Sequence, residues 1–305
     1  MKTISRDDFD SAKKFLQKNC RPLEVARFEY LFENGEAEKY IEELIKFQND
    51  DGGFGKNLYA EFLQPDSTPL GTSYALQIMG ELNDVDENII KKTVKYLEEN
   101  YDNDRHGWYS MDERVNNFPH AIWWHWDPIK KMNPIDEHWG NPSAEIIGYL
   151  YKYKQYVTKL DIEKVVDFAV DYWANKTEFG SEHETYCYIQ LYKYVDKKRQ
   201  KLLLPNLVKA TKAQVKTDVE EWKKYTPQPL HFAPTPKSIL YDVVSYDIEK
   251  NLDFLIDTKT EDGVWFPHWS WYQYEEQWER AKIIWVGILT IENLKKLQGY
   301  GRMAF

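Results

Sequence analysis

Two stretches hold most of the side chains that could do chemistry. His120-Ala-Ile-Trp123-Trp124-His125-Trp126-Asp127 sets two imidazoles and a carboxylate among three indoles, and Phe266-Pro-His268-Trp269-Ser-Trp271-Tyr272 sets one imidazole among rings. Indole faces stack on apolar chains, sugars and cations, while His and Asp move protons. Trp123, Trp124, Trp126, Trp269 and Trp271, with His183 and His268, are therefore expected to line a ligand site, and His125 to serve as acid or base. The competing reading is a plug of aromatics packed over a scaffold. Glu145 lies in Pro142-Ser-Ala-Glu-Ile-Ile147, otherwise small or apolar, where a carboxyl would be desolvated and its pKa raised toward that of a working acid. Ion pairing with Lys or Arg is the alternative there. Asp66 stands at the opening of another helix, as a second acid or as a cap. His183 and Cys187, four apart, share a helix face. They fall far short of a zinc signature and read as a core pair, so neither metal nor cofactor is expected.

Those residues must be positioned by helices. Apolar groups recur at helical spacing through Phe9–Asn19, Pro22–Leu31, Ala37–Gln48, Pro69–Leu82, Asp86–Asn100, Asn141–Leu150, Asp161–Ala174, a helix from Ser181, Lys201–Tyr225 as a broken or bent helix, Thr235–Val244, Tyr246–Asp257 and Glu275–Leu297. These make six helical pairs. Thr68-Pro69, Asn141-Pro142 and Thr235-Pro236 each read as an N-cap followed by Pro, and Ser181-Glu-His-Glu184 as a capping box. The turn Phe47-Gln-Asn-Asp-Asp-Gly-Gly-Phe-Gly55 returns in weaker form at Asp104–Tyr109, Thr177–Gly180 and Thr260–Phe266. A period of about 50 residues implies an array of helical hairpins sharing a core. The pattern fits an open solenoid or a closed ring. The small and apolar groups of the second helices favour the ring, with those helices as its inner wall. The whole chain, 1–305, reads as one such domain, with a Trp/His-rich insertion at 101–140.

The bulk properties narrow the function. With 42% hydrophobic and 30% charged residues the chain is globular, and 16% aromatic residues exceed what a core needs. A net charge of -10 with no basic block argues against nucleic acid. Cys20 and Cys187 give no disulfide framework. No apolar leader or membrane span is seen, so a cytoplasmic location is expected. No Gly-x-Ser-x-Gly, P-loop or Rossmann fingerprint supports hydrolase, NTPase or dinucleotide chemistry.

Gln48-Asn-Asp-Asp-Gly-Gly-Phe54 resembles the repeat shared by terpenoid and squalene cyclases and the β subunits of protein prenyltransferases. The resemblance implies an (α/α)6 toroid, all-α, with an aromatic-lined cavity that takes an apolar or isoprenoid-like molecule. It hands over no catalytic residue. The nearest string to a cyclase acid motif is Asp84-Val-Asp-Glu87, at a helix start where acids favour the dipole. Neither cysteine follows an Asp by two residues, as the zinc pair of the prenyltransferases requires. The expectation is a small-molecule binder of this type, its reaction unassigned, with Glu145, Asp66 and His125 as acid or base. Two alternatives stand beside it. One is a carbohydrate-active (α/α)6 enzyme, glycosidase or lyase, using Asp66 and Glu145 as a carboxylate pair. The other is a non-catalytic binding or scaffold protein.

Overall fold

A computed structural model describes residues 1–305. It is all-helical, with only isolated β-bridges. The helices are α1 (Arg6–Asn19), α2 (Pro22–Phe32), α3 (Ala37–Ile45), α4 (Pro69–Met79), α5 (Glu87–Glu99), α6 (Gly140–Lys152), α7 (Ile162–Ala174), α8 (Glu182–Tyr194), α9 (Lys197–Gln214), α10 (Val219–Trp222), α11 (Pro229–Phe232), α12 (Tyr241–Asp257) and α13 (Glu275–Gly299). They sort into two compact units: a central one, 44–213, and a terminal one formed by 1–43 with 214–305.

Local chemistry sets most boundaries as expected. Thr68 caps α4 by accepting from Gly71 N, with Pro69 at the first helical position. Asp86 and Asp161 cap α5 and α7 the same way. Asn141 holds an extended conformation, so α6 is regular only from Pro142 onward. Two expectations fail. No helix opens at Thr235-Pro236, because Thr235 and Ser238 close a turn on each other, and one continuous helix instead runs Tyr241–Asp257. Ser181 caps α8, but Glu184 does not complete a capping box. Its carboxylate turns away to accept from Gly140 N at 3.0 Å and to meet Lys176.

The recurring turn is a repeated hydrogen-bond unit. Asn49 N donates to Gly53 O and Gly52 N to Asn49 O; Thr260 N donates to Val264 O and Gly263 N to Thr260 O. Gly52 and Gly263 sit at φ +90° and +74°, which L side chains disfavour. At three of the turns the residue that follows donates its backbone N–H to a hydroxyl on the second helix of the pair. Phe54 N meets Thr72 Oγ1, Trp108 N meets Ser143 Oγ and Trp265 N meets Thr290 Oγ1, at 3.0, 2.9 and 3.3 Å. Trp108 and Trp265 also donate their indole N–H to Leu97 O and Leu255 O, satisfying last-turn carbonyls of α5 and α12.

Three of the turns also dock on the first helix of a following pair. A Cβ on Gly52 would lie 2.4 Å from Lys92 O of α5. His106 packs on Phe168 of α7, ring centroids 4.6 Å apart. At the end of α7, Asn206 of α9 donates to the carbonyls of Trp173, Ala174 and Lys176, just before the Thr177–Gly180 turn. In the terminal unit a Cβ on Gly263 would lie 2.3 Å from Asp8 O of α1, so the last turn docks on the first helix. Also in that unit, α13 packs on α2 and the chain ends pair through the Ile4–Met303 bridge.

Candidate functional site

In the central unit α4, α6 and α8 pack side by side, with Gly148 of α6 set against the backbone of Leu191. Glu145 points into this junction and is 5% exposed. Its Oε2 accepts from Gln77 Nε2 at 3.0 Å. Its Oε1 has no partner, and the Ser73 hydroxyl stands beside the carboxyl without completing a hydrogen bond. Burial pushes the carboxyl up to about 7, while Gln77, Lys193 and Ser73 oppose the shift. No Lys or Arg pairs with it directly; the competing ion-pair reading therefore has no partner here. Cys187 and Tyr149 border the same carboxyl and are pushed upward by burial, so both stay neutral. The arrangement holds a buried acid pushed up to about 7, in contact with Gln77, a residue that reaches the surface.

Tyr74 and Gln77 lie three apart, on one face of α4. Tyr74 meets Tyr59 edge-on at 5.2 Å, and Tyr59 meets Trp124 at 6.3 Å. Aromatic contacts thus run from the helix carrying Gln77 into the 101–140 excursion. That excursion is ordered. Asp136, buried, accepts from Ser110 N, Ser110 Oγ and Asn133 Nδ2 and ties its two arms together.

The two indoles Trp123 and Trp124 converge on one buried carboxylate, Glu61, donating to its Oε2 at 2.6 and 3.2 Å. Trp124 is buried and Trp123 half-buried. Trp126 is half-buried against Tyr109, its backbone clamped by Asn116. His125 is exposed, and its Nδ1 faces Nε2 of buried His120 at 3.2 Å. Burial holds His120 below the usual imidazole range, and His125 acts in the same direction.

Asp66 does not join Glu145. It ion-pairs with Arg114 at 3.1 Å on the surface, and Thr68 does the capping expected of it. Gln77, the contact of Glu145, lies roughly 12 Å further along α4 by helical rise. The structure therefore offers no Asp66–Glu145 pair. His183 is half-buried, edge-on to Tyr186, and burial lowers its pKa. Cys187 Sγ faces Asn141 Oδ1 at 3.8 Å. No group of three or more His, Cys, Asp or Glu side chains gathers as a metal site.

The second Trp cluster belongs to the terminal unit. Trp271 is 0% exposed, packed near Trp278, with its indole N–H unpartnered; it fills the interior rather than presenting a face. Trp269 is half-buried, edge-on to Tyr225 and to Trp285 at 5.1 and 5.2 Å, and His268 is exposed. Two surface hollows of about 560 Å3 each occur in the central unit, one bounded by Leu82, Asp86 and Tyr156, the other by Phe168, Tyr172 and Lys176. Neither includes Glu145 or the tryptophans of the excursion. Glu61, Ser73 and Gln77 were not legible as site residues: none stands in a motif, and Glu61 and Gln77 meet partners distant in sequence.

The chain is all-helical and buries the Glu145 carboxyl in its central unit. No family model, curated protein or solved structure matches the chain. No helix is long and apolar enough to cross a membrane.

Proposed function

We propose that the chain is a closed ring of six helical hairpins, of the terpenoid-cyclase and prenyltransferase type, that binds an apolar, isoprenoid-like molecule at the α4/α6/α8 junction. Support for the ring comes from the docking rule: three turns meet the first helix of a following hairpin, and the last of these meets α1. The function rests on one observation, the Glu145 carboxyl. A buried acid near pKa 7, with an unpartnered oxygen and an exposed amide as its only hydrogen-bond donor, suits proton donation to a double bond or binding of a hydroxyl in an apolar setting. Gln77 is the gate: a ligand that displaces it reaches Glu145, with Tyr74 as the adjoining wall. His125 and Trp123, at the exposed side of the excursion, extend that wall. Asp66 pairs with Arg114 at the surface, so this reading does not use it as the partner of Glu145 that glycosidic cleavage calls for.

The test is fluorescence titration with an acyclic isoprenoid alcohol and, in parallel, a linear oligosaccharide. The alcohol should quench tryptophan emission saturably, and Gln77→Leu should change its affinity. Saturable binding of the oligosaccharide alone, or of neither probe, would overturn the reading.

A further inference from the structure

His120 and His125 bring two imidazoles into contact within the excursion of the central unit. The chain around His120 is fastened to an earlier segment: Leu63 N donates to Pro119 O and Ala121 N to Glu61 O, both at 2.8 Å. One short helical turn, Ile122–Trp124, closed by His125 N on Ile122 O, then carries His125 back beside His120. The ring planes differ by 20° and the centroids are 5.4 Å apart, while Nε2 of His120 and Nδ1 of His125 are 3.2 Å apart. The two nitrogens therefore lie between the rings, which meet edge to edge as a hydrogen-bonded pair rather than face to face.

The direction of that bond is set by a third atom. His120 Nδ1 lies 2.6 Å from Phe118 O. A carbonyl oxygen only accepts, so Nδ1 carries the proton. Burial favours the neutral ring at His120, whose Nε2 then holds a lone pair. His125 Nδ1 donates to that lone pair, which leaves His125 its own lone pair on Nε2, on the side of the ring away from His120. Asp127, the carboxylate that feels the charge of His125, has its Oδ1 engaged by the backbone N–H groups of Ile129 and Lys130.

We infer that His120 is a positioning residue that locks His125 as its Nδ1–H tautomer, so that His125 Nε2 is a fixed acceptor for a hydroxyl on the ligand. His125 is exposed, and Nε2 lies on its outward side. An imidazole free to change tautomer meets a donor or an acceptor equally; this one discriminates. An alcohol satisfies it, whereas the corresponding ether only accepts and sets its oxygen against a lone pair. The inference rests on the isoprenoid reading only for the molecule that supplies the hydroxyl. The tautomer belongs to the ligand-free chain, so either reading can fail alone.

The experiment labels the histidines of the full chain with 15N and reads each ring by long-range NMR correlation at about pH 8, above the usual imidazole range. A hydrogen bond of ordinary net strength biases a tautomer ratio roughly fivefold. The ratio of Nδ1–H to Nε2–H at His125 should therefore be at least about fivefold that of free histidine in the same buffer. His120→Gln, whose amide oxygen replaces Nε2 as acceptor, should keep most of that bias, and His120→Leu should lose it. A wild-type His125 with the ratio of free histidine would overturn the inference, whatever the variants do. An acyclic isoprenoid alcohol at saturation should shift the His125 Nε2 signal, and its methyl ether should bind at least about fivefold more weakly. Saturable binding of the alcohol that leaves Nε2 unmoved would overturn the acceptor role. No binding of the alcohol, with the bias intact, would sink the isoprenoid reading and leave the locked tautomer standing.

Discussion

Glu145→Gln isolates the charge of the buried carboxyl while keeping its shape and its Gln77 contact. The native pKa is about 7 against an ordinary 4.5. A shift of that size corresponds to about 3 kcal/mol between the two protonation states. The sign follows from proton binding. The folded state holds the proton more tightly than the unfolded state, so this group's stabilisation is complete below pH 4.5. It is lost as the pH rises through 7, above which folding carries the cost of a buried unpaired carboxylate. Of the titratable groups that act on the carboxyl, Tyr149, Tyr194 and Cys187 are pushed upward and stay neutral through this window, while Lys193 opposes the Glu145 shift. Urea denaturation of wild type and Glu145→Gln across that range should show their stability difference drifting by about 3 kcal/mol in the variant's favour as pH rises. At alkaline pH the variant should be the more stable protein. A difference that does not change with pH, or a wild type that gains on the variant as pH rises, would mean that Glu145 is ionised and paired, and would refute the reasoning.

Other outcomes test the repeat and the excursion. Gly52→Ala and Gly263→Ala should each cost at least about 2 kcal/mol in chemical denaturation, because both add strain at positive φ and drive a Cβ into a backbone carbonyl. Gly301→Ala, at φ +65° with open space around it, should cost only about 1–2 kcal/mol in the same assay. Thr72→Val and Thr290→Val should behave alike, each losing roughly 1–3 kcal/mol by stranding a buried N–H, of Phe54 and Trp265 respectively. Glu61→Ala should cost a similar roughly 1–3 kcal/mol, and tryptophan emission should change as Trp123 and Trp124 lose their shared acceptor.

The helices were legible because their signals are local. Caps such as Thr68-Pro69 and the glycines of the turns act within a few residues, and the structure keeps them where the residue types demand. Thr235-Pro236 misled for the same reason: a Pro is compatible with a first helical turn but equally with the closed turn that Ser238 completes. Ser181–Glu184 shows tertiary structure overriding a local motif, since Gly140 and Lys176 compete for the Glu184 carboxylate. The apolar surroundings of Glu145 were readable from its neighbours in sequence. Gln77 was not, because helix packing alone brings it there. The tryptophans were visible as a cluster, but their role turned on Glu61, whose carboxylate fixes two of them, and no pattern in Tyr59–Leu63 announces that.

The account depends on a carboxyl that stays protonated inside the α4/α6/α8 junction when ordinary carboxylates have ionised. The direct measurement is difference infrared spectroscopy of wild type against Glu145→Gln through a pH series. A buried carboxylic-acid carbonyl band, present in wild type at mildly acidic pH, absent from the variant and vanishing with a midpoint near 7, is the predicted result. Identical spectra for the two proteins above the ordinary carboxylate range would contradict it.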